Sequence, residues 1–295
     1  MQINDKPFSI YDFIGYLIPG IFAFYASIFI YNYKIHETID ISIFQDNKLD
    51  EEKIFAVIFF YVAGHLLNFF SSMSVEKYSL WTLGYPSMYL FNKATKKGYF
   101  KGCWKIEKEH FKGSLSRSIV RCIIRFDVLM ILFPVALGDF IIRKLFRLHD
   151  TYARPFEDSL LRIIEDNNSK IINEFYKDNS INTEGDTFRL IYHYAIEHSS
   201  NHVSKMQNYV ALYGFTRTLT FIGCILFWEW LSLDIYKFSI LGIHLFFINF
   251  FTWGNILVVF LIFFFTFFLY WDFNKFYRKF SMEAYLGAVV AMNKE

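Results

Sequence analysis

Four stretches of this chain carry almost no charge, and they decide what it can fold into. Ile256–Trp271 (ILVVFLIFFFTFFLYW) holds no ionisable group other than tyrosine, and Phe13–Tyr33, Ile54–Met73 and Tyr209–Leu231 are nearly as bare. A helix that is apolar on every face has no stable place at a water-facing surface, whereas about 20 such residues cross the hydrocarbon of a bilayer. The expectation is a mainly α, polytopic membrane protein with about four transmembrane helices and a helical cytoplasmic domain.

Composition supports a mixture. A chain that is 54% hydrophobic and 22% aromatic exceeds soluble norms, yet 20% charged residues is too many for one lying wholly in lipid. The expected divisions are residues 1–75 (two spans and a short acidic outer loop), 76–208 (a cytoplasmic helical domain with a basic juxtamembrane segment), 209–274 (two more spans) and 275–295 (a cytoplasmic tail). Cys103, Cys122 and Cys224 show no CxxC spacing, so neither a disulfide framework nor a zinc site follows. Met1–Asp12 lacks a basic leader region, and the apolar run after it is long enough to remain as a span.

Charge sets the orientation. Between Lys34 and Lys53 three basic residues face six acidic ones, while between Glu76 and Arg125 eleven basic residues face three acidic ones. The positive-inside rule places the second region in the cytoplasm. Four spans then put both termini inside, as suits an inner-membrane protein. Two segments threaten this count. Phe126–Ile142 has an apolar middle only about half a bilayer long and basic residues on both sides, and reads as an interfacial helix or a core helix of the cytoplasmic domain. Ile240–Phe251 is the other; with Gly254-Asn255 as a turn it would make a hairpin with the last span.

Within the spans, Gly15, Pro19, Ala23 and Ser27 recur every four residues and form one small-residue stripe for helix packing; Gly64, Asn68 and Ser72 form another. His65 and Asn68 are costly in lipid, so His65, Asn68 and Ser72 read either as pore-lining positions or as interhelical hydrogen-bonding ones in the bundle interior. Asp12 and Arg217 are candidates for an interface pair, with Arg217 snorkelling toward the cytosolic surface. In the polar body, Arg154–Lys177 has helical spacing with Pro155 in its first turn, and a second helix starts near Asp186 or Thr187 and continues without a Gly or Pro until Gly214. The lysine run from Lys93 to Lys112, interleaved with aromatics, suits anionic lipid better than nucleic acid because it follows a span. His198 and His202 lie one turn apart without a third ligand, so no metal is read there. No catalytic or cofactor-binding set emerges.

Tyr11–Gly20 (YDFIGYLIPG) resembles the opening of a group of poorly characterised bacterial integral-membrane proteins of the kind encoded in anti-phage defence loci. Gly64–Leu67, Gly84–Ser87 and Tyr209–Leu219 (YVALYGFTRTL) are similar to the same group. The resemblance implies an effector or sensor subunit that compromises the inner membrane, and it names no catalytic residues. The expected partners are the lipid bilayer, further copies of the chain and a soluble cytoplasmic protein. The alternatives are an enzyme acting on lipid or a lipid-linked substrate, with Asp12, His65, Asp127 and Asp139 around one cavity, or a scaffold that recruits a soluble partner.

Overall fold

The structure, a computed structural model, describes residues 13–36, 51–93, 99–100, 115–148, 153–175, 187–241 and 253–293. Among these every regular element is helical: α1 (Ile18–His36), α2 (Glu51–Ser71), α3 (Lys77–Leu83), α4 (Pro86–Tyr89), α5 (Leu115–Ile131), α6 (Phe133–Phe140), α7 (Asp158–Phe175), α8 (Phe188–His198), α9 (Ser200–Leu241) and α10 (Trp253–Met292). Four helical stretches are long and apolar enough to cross a bilayer: Phe13–Ile35, Ile54–Tyr89, Ser200–Tyr236 and Trp253–Met292. They contain the four uncharged stretches of the sequence. Their outer faces suit lipid, since α2 alone exposes Phe55, Ile58, Phe59, Val62 and Leu66. Among the described residues the fold is all-helical, with four helices fit to cross a membrane. All of Ile240–Phe251 beyond Leu241, and most of the lysine run, lie outside the described residues.

Two compact units divide the chain. The first gathers Met1–Glu76, Phe126–Leu145 and Gly214–Tyr270. In it α1 and α2 pack where glycine lets backbone meet backbone. A Cβ on Gly64 would stand 1.8 Å from Tyr16 O, and one on Gly20 would stand 2.0 Å from Phe60 O. Tyr16 faces Gly64 and Gly20 faces Phe60, so the two helices run antiparallel. Gly223 likewise admits Thr266, whose Oγ1 would be 2.3 Å from an added Cβ. Ile30, Ile222, Leu226 and Trp230 form the buried core here, with Ala23, Leu67 and Val258 against it.

Phe126–Leu145 belongs to this unit and not to the polar body. Its turn has a local cause. Leu132 leaves helical geometry between α5 and α6 (φ −92°, ψ 25°), and Pro134 follows in the first turn of α6. Proline has no N–H, so the carbonyl of Met130, four residues earlier, loses its helical donor. The Trp228 indole supplies one, donating to Met130 O and Ile131 O at 3.1 Å each. Gly138 then seats the segment against the Phe267 ring, 2.3 Å from where a Cβ would stand. Leu132 and Val135 are fully buried.

The second unit gathers Lys77–Arg125, Phe146–Tyr213 and Trp271–Glu295. Ile164 and Ile171 of α7, Ile191 and Ala195 of α8, and Ala284 and Ala288 of α10 are all fully buried in one core. Of residues 275–295, expected to form a tail, those up to Met292 therefore supply a core helix. The reason is their spacing: Phe280, Ala284, Ala288 and Ala291 fall on one face, and the small side chains let α10 approach its neighbours. Two further expectations are corrected. Helix α7 starts at Asp158, three residues beyond Pro155; in the chain before it Phe156 N–H donates to Leu90 O at 3.0 Å and not along a helix. The helix from Thr187 does not run unbroken, since Ser199 turns out of it (φ −131°, ψ 73°). Its carbonyl then accepts from His202 and Val203 N–H and so starts α9. Ser-Ser-Asn is a sequence whose side chains compete for backbone hydrogen bonds.

Candidate functional site

The first unit buries charge among apolar helices. Arg217, in the body of α9, is 8% exposed. Its Nη1 donates to the Glu76 carboxylate. Nη2 donates to Asn68 Oδ1 at 2.7 Å, and Nε donates to Ser71 Oγ at 3.2 Å. Ser71 passes its own proton to Asn68 O at 2.7 Å, and Thr218 donates to Gly214 O at 2.9 Å. The guanidinium is thus held by one carboxylate and by polar groups spaced three and five residues apart near the end of α2 and beyond it. Such enclosure makes burial of the charge tolerable, because each guanidinium nitrogen meets an acceptor.

A second buried pair joins three helices. Lys34 Nζ lies 2.5 Å from Asp234 Oδ1 and 3.0 Å from Asn255 Oδ1, and 3.9 Å above the Trp230 ring. Lys34 and Asp234 are only 4% and 7% exposed. Position along the chain separates the two clusters. About 17 residues of α9 lie between Arg217 and Asp234, roughly 25 Å of helix and close to a bilayer core. A third pair links Asp139, 1% exposed, to Arg143 one turn on.

The residues read from sequence are distributed among these contacts. Asn68 joins the Arg217 cluster. His65 is exposed and stacks on Tyr16 at 3.7 Å, with Tyr61 edge-on at 4.6 Å. Ser72 donates back to Phe69 O at 2.7 Å. In α1 the small-residue stripe is split: Pro19 is buried, Ala23 packs on the Ile222 cluster and Ser27 hydrogen-bonds Glu229. A Cβ on Gly15 would meet nothing within 4 Å. The tight contacts are at Gly64 and at Gly20, which the stripe passes over. Asp12 lies outside the described residues, and among them Arg217 is held by Glu76. Glu76 and Lys34 stand at the ends of apolar runs, where sequence reading assigns them to loops. Of the carboxylates proposed for lipid chemistry, Asp139 is engaged by Arg143. In the second unit His202 bonds Glu283 at 2.7 Å, and His198 lies over the Tyr194 ring.

No protein-family model matches this chain, and no curated protein or solved structure matches it. Fold and site together define a helical membrane protein with four candidate spans among the described residues and ion pairs buried between apolar helices.

Proposed function

We propose that this chain is a bacterial inner-membrane effector or sensor subunit, acting as a homo-oligomer that perturbs or permeabilises the membrane in anti-phage defence. The observation that carries the reading is Arg217, a fixed charge among apolar helices, paired there with Glu76 and hydrogen-bonded to Asn68. Ionisable groups buried among apolar spans are costly, and they mark positions where charge or water is handled. At rest the cluster is closed on itself, so no charge faces lipid. Parting α2 from α9 would leave a cation on one helix and a carboxylate with two polar groups beside it, a surface that admits water and ions. The exposed His65 imidazole supports the oligomer, since a second copy covers it better than acyl chains do. The defence setting rests on the resemblance of Tyr11–Gly20 and the other short motifs. The trigger would act on the cytoplasmic residues, through a soluble partner or a ligand.

The test is membrane potential, followed with a voltage-sensitive dye in infected cells that carry or lack the gene. Depolarisation that needs the gene and precedes lysis is expected, and Glu76→Gln should lower its threshold by unpairing Arg217. A potential that stays unchanged while the gene protects the culture would overturn the proposal.

A further inference from the structure

The second unit holds a pocket of about 230 Å3 between α7, the N-terminus of α8 and the last turns of α10. Three features of its wall are unusual together. Asn168 is nine-tenths buried, and its Oδ1 has no hydrogen-bond partner among the described residues. A carboxamide oxygen enclosed in that way requires a donor from somewhere. Thr187, the N-cap of α8, also lines the pocket and makes no side-chain cap bond. Helix N-termini carry partial positive charge and favour anions. At the rim Lys93 Nζ and Glu165 Oε1 stand 3.9 Å apart, both about two-fifths exposed. Phe91 and Tyr285, packed edge to face at 4.9 Å, give the pocket its apolar side.

We propose that this pocket binds a small zwitterion with an ammonium and a carboxylate on one carbon, as in a free α-amino acid. The carboxylate is taken by the start of α8 and Lys93, and the ammonium by Asn168 Oδ1 and Glu165. The side chain rests on Phe91 and Tyr285. A simple anion satisfies the helix terminus and Lys93 but leaves Asn168 without its donor. A simple amine does the reverse. A ligand bearing both charges also exchanges the loose Lys93–Glu165 pair, which is worth little at a wet rim, for two enclosed ones. The volume lies below the roughly 300 Å3 at which pockets for drug-sized ligands begin, and so suits a small one. All the named residues belong to one unit, so the inference stands apart from the membrane-leak reading.

The test is isothermal titration of the full chain in detergent with glycine, L-leucine, L-phenylalanine and L-glutamate, beside acetate and ethylamine. At least one amino acid should bind at least about tenfold more tightly than either half-ligand. Asn168→Leu and Lys93→Met should each weaken that binding by about tenfold while the circular dichroism stays unchanged. If Asn168→Leu does not fold, Thr187→Val serves in its place. Absence of heat from all four at about 10 mM, equal binding by acetate alone, or full binding by the folded variants would each overturn the proposal.

Discussion

Arg217 and Glu76 show how a single pair can dominate a helix bundle. Arg217→Met strands the Glu76 carboxylate; one-sided loss of a buried pair costs about 3–5 kcal/mol, and a partner one-quarter exposed puts this case near the lower figure. Replacing both with Met should recover most of that loss, and a double-mutant cycle on thermal unfolding in detergent measures it. Glycines give a second contrast. Gly64→Ala and Gly20→Ala drive a methyl into backbone oxygen and should lower the melting temperature and broaden gel-filtration profiles, whereas Gly15→Ala should leave both unchanged. Sequence made part of this visible. Asn68 and Arg217 stood out because polar groups are rare in spans, and Gly64 because small residues mark close packing. Glu76 did not, since a carboxylate just past an apolar run looks solvated until the facing helix is known. Gly20 was hidden by its neighbours, which made a cleaner four-residue series through Pro19.

Phe126–Leu145 is the element whose place the linear pattern left open. Its short apolar middle and its basic flanks were legible as marks against a full crossing. The deciding contact is with Trp228, nearly a hundred residues away, and no local periodicity reports it. Trp228→Phe keeps the ring but leaves the Met130 carbonyl without a donor, at a cost of about 1–2 kcal/mol. Pro134→Ala restores an N–H at the position that helical pairing calls for, so the double variant should be less destabilised than Trp228→Phe alone. Equal melting temperatures for the single and double variants would refute this account of the turn. The break at Ser199 was equally obscure, because Ser-Ser-Asn disfavours a helix only by small increments.

At the scale of the molecule, the four spans were legible because lipid imposes a requirement that a 20-residue window reveals. The role of residues 275–295 was not, since Lys275, Arg278 and Lys279 gave them the look of a solvated tail. Their inward face is instead Phe280, Ala284, Tyr285 and Ala288. Ending the chain after Trp271 should therefore expose the second unit to limited proteolysis at Phe188–Met206 while detergent is still needed for extraction. Intact resistance of that region in the truncated protein would show that the core closes without α10.

Each unit is assembled from three separate pieces of the polypeptide, and the pieces alternate along it. The ribosome must therefore emit residues through Tyr270 before the first has all its parts, and almost the last residue before the second does. The first can therefore close before the second, and a product terminated short of Tyr270 delivers no finished half to the cell, only material for proteases.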